Sequence, residues 1–227
     1  SELAQSEAEP QSAAVPMFRY TLRKQDTLEE IPSYMTATAA GMMEETLKNF
    51  SVKTYRKTVE AIRKARLIDI YSVENSGVAA QDLLAKLLYL GMPCRYFSDS
   101  YYQRISAGSL TEEDVAVGIS YSGASKDTVD AMRTAKRAGA VTIVITNFRD
   151  SPICRYADIL ICTSQEQFIY GNAIYSRMTQ LLIVDMIYMG IIASDYEHYV
   201  GLLDQGEKIV RERAYPYGAE KRKKKKP

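Results

Sequence analysis

The chain has 227 residues, 46% apolar and 25% charged, with a net charge of +1. That composition is ordinary for a globular protein, and the length holds one good-sized domain whose core needs no disulfide staples. Six of the 29 basic residues sit in the terminal KRKKKK, so 23 bases face 28 acids elsewhere and the body carries about −5, which excludes a nucleic-acid footprint on the folded part.

Cys94, Cys154 and Cys162 are odd in number and lack metal-ligand spacing. They read as reduced thiols in a cytoplasmic protein with no metal site. No signal peptide opens the sequence. The most apolar stretch, 178–193, is interrupted by Asp185 and reads as a buried helix, not a membrane span.

In chain order, residues 1–16 are rich in Ser, Ala, Glu and Pro, and residues 1–25 read as a linker or disordered N-terminus. Asp26, with Glu29 three residues on, predicts a helix start, and Ser51 predicts a second cap before the apolar face Val52, Tyr55, Val59 and Ile62. Then the rhythm changes. Apolar runs at 67–73, 94–98, 114–120, 141–147 and 158–164 alternate with helical patterns at 77–90, 101–110, 125–138 and 151–157. Long helices follow at 171–194 and 198–214, and residues 215–227 read as a basic disordered tail. A run such as VTIVIT is apolar on both faces, which predicts a parallel α/β sheet covered by helices on both sides.

The stretch SYSGAS, 120–125, falls where the third strand ends and a helix begins. Ligands of such sheets bind outside the carboxyl ends of the strands. There, free backbone N–H groups and the helix dipole favour an anion. Gly123 lets the backbone curl, and Ser120, Ser122 and Ser125 offer small O–H donors to a phosphate oxygen, with Lys126 as an added candidate. The competing reading is that these serines only cap the helix. A second loop, SVENSG at 72–77, brings Asn75 and Ser76 to the same place if strands 1 and 3 are neighbours, while Glu74 is expected to turn away.

The segment GISYSGASKDTVDAMRTAKRAGAVTIVITN resembles the sugar isomerase (SIS) domain with its S-x-S-G-x-[ST] loop. With NSGVAAQDLLAKLLYLG, YFSDSYYQ and EQFIYGNAIYSRMTQLLIVDMIY, the order of pieces is similar to the RpiR/MurR group of bacterial transcriptional regulators. The resemblance covers about residues 30–195. It implies a flavodoxin-like three-layer αβα sandwich, a five-stranded parallel sheet in the order 2-1-3-4-5 with N-terminal helices, spanning 26–214. It also implies a phosphorylated sugar as ligand and a homodimer or higher homo-oligomer. By position it assigns the phosphosugar contacts to Ser76, Ser120, Ser122 and Ser125, with Glu166 facing the sugar and Arg177 structural or interfacial. The family often has G-x-G in the first loop, where this chain has Ser72-Val73-Glu74.

In the regulators a helix-turn-helix domain precedes the SIS domain. Only about 25–30 residues precede the first clear helix here, too few for such a module. DNA is therefore expected as a partner only through a helix-turn-helix domain absent from this chain. The reading is a non-catalytic phosphosugar-binding effector domain of a regulator of carbohydrate metabolism, without cofactor. The alternative is a sugar-phosphate aldose–ketose isomerase or lyase. Isomerisation needs a positioned base, often with a ring-opening histidine. The one histidine, His198, lies past the predicted pocket loops. Glu166 as a base would look the same in sequence as Glu166 bonded to sugar hydroxyls. Tyr101 and Tyr102, near the end of strand two, are candidates for stacking on a sugar or for plain packing.

Overall fold

The computed structural model describes residues 27–163 and 173–215. Five strands make one parallel sheet in the order β2-β1-β3-β4-β5. They are β1 Ile68–Tyr71, β2 Cys94–Tyr96, β3 Val115–Ile119, β4 Val141–Thr146 and β5 Ile159–Cys162. Helices α1 Ile31–Lys48 and α2 Val52–Lys64 precede the sheet. Helices α3 Ser76–Tyr89, α4 Ser100–Ala107 and α5 Lys126–Arg137 link the first four strands. The 3-10 turn Pro152–Tyr156 leads into β5, and α6 Ala173–Ser194 and α7 Tyr196–Glu212 follow. This is the expected sandwich in the expected order.

Successive residues of β3 and β4 point to opposite faces, and both faces are covered. On one, Val117, Ile119, Ile143 and Ile145 pack with Leu83 and Leu87 of α3 and Ile183 and Ile187 of α6. On the other, Ala116 and Val144 pack with Ala107 of α4 and Ala131, Met132 and Ala135 of α5. Gly118 sets the approach of α5, because a Cβ there would lie 2.7 Å from the Met132 side chain.

Ser51 caps α2 as its sequence position predicts, its Oγ accepting from the Thr54 N–H at 3.2 Å. The pairing expected of Asp26 and Glu29 falls one residue later. Glu30 reaches back to the Thr27 N–H at 2.9 Å and hydroxyl at 3.1 Å, while Asp26 lies outside the described residues. The strands are one to three residues shorter than their apolar runs, since Ser72, Ser120 and Asn147 already belong to the turns.

Within α6, residues 177–194 are long and apolar enough to cross a membrane by length and composition. Yet Ile183, Val184, Ile187 and Ile191 are fully buried, and Asp185 pairs with Lys86 of α3 at 2.8 Å. The helix belongs to the core, as its interruption by Asp185 predicts.

One buried acid was invisible in the apolar run 67–73. Asp69 is fully buried and accepts four hydrogen bonds. Arg95 donates two, from Nε and Nη2, each at 3.1 Å. The Tyr71 and Ser106 hydroxyls donate the others at 2.8 and 2.5 Å. Burial first, then the Asp69 charge and this bond, push the Tyr71 hydroxyl well above its ordinary pKa.

Candidate anion site at the strand ends

Parallel pairing sets Tyr71 beside Gly118. The loops after β1 and β3, residues 72–75 and 120–125, therefore leave the sheet side by side. This is the point where the strand order reverses, the place such sheets reserve for ligands.

The β3 loop is fixed from beneath by the end of β4. The Tyr121 carbonyl accepts from the Asn147 N–H and the Thr146 hydroxyl, both at 3.1 Å. The Gly123 carbonyl accepts from the Ile153 N–H at 3.0 Å. Gly123 has φ +61°. A Cβ on it would overlap the Ser151 hydroxyl and come within 2.5 Å of the Ser151 Cβ and 2.9 Å of the Thr146 hydroxyl. Only glycine satisfies both the left-handed backbone and the space.

The serines fall into different roles. Ser120 is buried, and its Oγ accepts from the Gly123 N–H at 3.2 Å, closing the turn. Ser122 is half-buried, and its Oγ accepts from the Ala124 N–H at 3.2 Å. Ser125 occupies the N-cap position of α5, but its side chain makes no cap bond. The reading in which these serines merely cap the helix therefore fails at the residue best placed to do so. Among the described residues no protein acceptor meets the N–H groups of Lys126, Asp127 or Thr128. The Thr128 hydroxyl is also buried without a partner. Every helix start leaves such N–H groups free, and here they sit beside the serine loop, an arrangement that can receive an anion.

The first loop contributes Ser76, 6% exposed, at the start of α3. Its Oγ accepts from the Tyr121 N–H at 3.3 Å, which ties the two loops together. Gln180 of α6 donates to the same Oγ from Nε2 at 3.1 Å. Gln103 of α4 clamps the loop from the other side, accepting from the Ser72 N–H at 3.1 Å and donating to the Ser72 carbonyl at 2.8 Å. The Tyr96 hydroxyl stands 3.3 Å from the Ser72 Oγ. Gln180, Gln103 and Tyr96 are the residues that sequence reading missed. Each acts on a partner 24 or more positions away, and only the fold supplies that pairing.

Other expected residues are distributed differently. Asn75 is exposed at the N-cap of α3 and makes no cap bond. Glu74 turns out to solvent, with φ +52°, the conformation a glycine would take there. Lys126 is directed along α5 to Asp130 at 3.3 Å rather than over the loop. Tyr101 and Tyr102 are exposed on α4, so neither of the two residues is core packing. Arg177 is half-buried on α6. His198 is exposed in the first turn of α7 against the Tyr199 ring, 4.9 Å between centroids. Glu166, the N-terminal segment and the basic tail lie outside the described residues.

A separate small cleft opens beside β5, lined by Asn49, Ser51, Thr54, Arg149 and Cys162 among others. It gathers none of Ser76, Ser120, Ser122 and Ser125. Burial pushes the Cys162 thiol above its ordinary pKa, which disfavours the thiolate there.

Comparison with known proteins agrees with this fold. The family model of the SIS domain matches residues 61–190, more than half of the chain. An uncharacterized HTH-type transcriptional regulator from Caldanaerobacter subterraneus is 36% identical over 74% of this chain. The chain spans 60% of that relative's length. The solved Vibrio vulnificus NanR protein, complexed with ManNAc-6P, superposes with a TM-score of 0.78 at 21% identity, over 82% of this chain and 70% of that one. A Methanococcus jannaschii protein, whose inferred function is that of a 3-hexulose-6-phosphate isomerase, superposes with a TM-score of 0.60 at 19% identity, over 77% and 97% of the two chains. With its serine loop at the switch point of a 2-1-3-4-5 sheet, the chain belongs to the SIS domain family, and its curated relatives are named as HTH-type transcriptional regulators.

Proposed function

We propose that this chain is a non-catalytic effector domain that binds a phosphorylated sugar for a transcriptional regulator of carbohydrate metabolism. The observation that carries the reading is the open start of α5, where three N–H groups, the Ser125 hydroxyl and the buried Thr128 hydroxyl lack protein acceptors. A phosphate presents several acceptor oxygens and matches such a cluster of donors. Ser76, Ser122 and Ser125 supply side-chain donors, Ser120 holds the turn, and Asn75 and Glu166 are assigned to the sugar.

The NanR complex with a sugar phosphate supports the ligand class, and the relatives' names support the regulatory role. DNA contact belongs in this reading to a helix-turn-helix part, with the protein in the cytoplasm. A second copy would cover Val78 and Leu88 of α3 and Met189 of α6, exposed on two helices that pack together. Ligand binding would then shift the arrangement of the dimer.

The isomerase reading is favoured by the likeness to the Methanococcus protein. Within residues 72–75 and 120–125 the single carboxylate, Glu74, faces solvent, which leaves Glu166, outside the described residues, as the base an isomerase would use. A base must reach the proton it moves.

A thermal-shift screen with hexose, amino-sugar and pentose phosphates, each beside its free sugar and each assayed for product, tests both. At 100 times its dissociation constant, a true ligand stabilises the fold by roughly 2.7 kcal/mol. Stabilisation that needs the phosphate and yields no product supports the effector domain. Product formation replaces it with the isomerase, and no shift with any compound rejects both.

A further inference from the structure

Gln180 is 1% exposed and lies on α6, 104 residues from Ser76, which it touches. Its Nε2 donates to the Ser76 Oγ, while its Oε1 is buried without any partner. An orphaned carbonyl in the interior is costly, and a methionine or leucine of similar size would avoid it. The glutamine is therefore placed for something other than stability.

The polarity of the contact suggests what. A serine hydroxyl has two lone pairs and one proton. At Ser76 both lone pairs are taken, one by the Tyr121 N–H and one by the Gln180 Nε2. No described residue accepts the remaining proton. With the Gln180 amide in this orientation, the hydroxyl is left as a donor for a group that enters between the two loops.

We propose that Gln180 is a positioning residue that locks the Ser76 hydroxyl as a donor. This corner of the site then takes an acceptor-only group, an oxyanion, and discriminates against a group that must itself donate. The inference rests on the phosphosugar reading and adds a residue and a rule of selectivity to it.

The test uses inorganic phosphate as probe, titrated against the protein while the amide resonances of residues 120–128 are followed by NMR. Gln180→Met keeps the side-chain volume and removes both the donor and the orphaned carbonyl. The expected result has two parts. The thermal midpoint of the unliganded variant equals or exceeds that of the parent, and phosphate binds about fivefold more weakly. In a Ser76→Ala background, where phosphate binds about tenfold more weakly, Gln180→Met causes no further loss, because it acts through Ser76. Gln180→Glu, which would draw the Ser76 proton toward itself, weakens phosphate more than Gln180→Met does.

A Gln180→Met variant that loses stability and affinity together marks a merely structural residue and overturns the proposal. So does an effect of equal size with and without Ser76, although the phosphate site itself then stands. Absence of any response of the parent protein to phosphate removes the site, and the role of Gln180 with it.

Discussion

Two clusters of hydrogen-bond donors lie on neighbouring strands, and they end differently. Around Asp69 on β1, two guanidinium N–H groups and two hydroxyls converge on one carboxylate that the chain itself provides. At the start of α5, beyond β3, helix N–H groups and two hydroxyls have no acceptor among the described residues. The chemistry of the donors is similar. The first cluster is complete within the protein and so serves the fold. The second has no partner of that kind among the described residues, and in the proposed function an anion from outside supplies it. Among the described residues Thr128 Oγ1 shares its lack of a partner with Gln180 Oε1 and with Asp114 Oδ1 at the opposite ends of the strands, so the proposal rests on its grouping with the serine loop and the helix start.

The comparison breaks most visibly at Arg95. Arg95→Met leaves a buried Asp69 carboxylate without its main partner, and such a loss costs about 3 kcal/mol. Chemical denaturation should show that drop, while the folded fraction binds phosphosugar with unchanged affinity. A parallel loss of affinity would mean the two clusters are coupled.

Gly123→Ala comes next. It adds a left-handed strain and an overlap with Ser151 beneath the loop, together about 2 kcal/mol of stability. Unlike Arg95→Met, it should also abolish measurable binding in a thermal-shift titration. Retained affinity would show that the loop tolerates another shape.

Ser122→Ala sharpens the contrast from the other side. Removing one hydroxyl donor to a charged group should weaken phosphosugar binding by roughly 1–2 kcal/mol with little change in stability. Calorimetric titration checks it, and unchanged affinity would take Ser122 out of the contact set.

The smallest effect is at the opposite ends of the strands. Burial works against the charge on Asp114, but the Thr111 N–H and hydroxyl and the Arg66 guanidinium outweigh it, so its carboxyl is held below the ordinary range. Asp158 is held low in the same sense: burial is outweighed by Lys136 and by the Thr142 N–H and hydroxyl. A depressed carboxylate pKa stabilises the fold fully above the unfolded value, near 4, and this is lost as pH falls through the lower folded value. Stability should therefore be flat from about pH 7 to pH 5 in these terms and fall below about pH 4. Asp114→Asn should flatten part of that fall in acid-denaturation curves. A curve identical to the parent's would assign the acid response elsewhere.

Much of the architecture was legible because it rests on local signals. The two-sided apolar strands, the alternation with helices and the Ser51 cap are each written within a few neighbouring residues. The serine loop was legible for the same reason, since Ser120, Ser122, Gly123 and Ser125 form one short stretch. What sequence could not show is how the hydroxyls divide their work. Ser120 turns inward to its own loop, and Ser125 leaves its helix uncapped. Asp69 carries no signal of its own in its apolar run, because its partner Arg95 lies 26 residues on and only the strand pairing brings it alongside. Gln180 carries no local signal at all, because a glutamine in a helix is unremarkable until Ser76 is found beside it.

The most direct measurement is an amide NMR titration with the phosphosugar that gives the largest thermal shift, run beside its unphosphorylated form. The largest shifts should fall on the N–H groups of Gly123 to Thr128 and on Ser76, and they should vanish without the phosphate. Shifts centred instead on the cleft of Asn49, Ser51 and Arg149, or shifts that persist without the phosphate, would contradict an anion site at the start of α5.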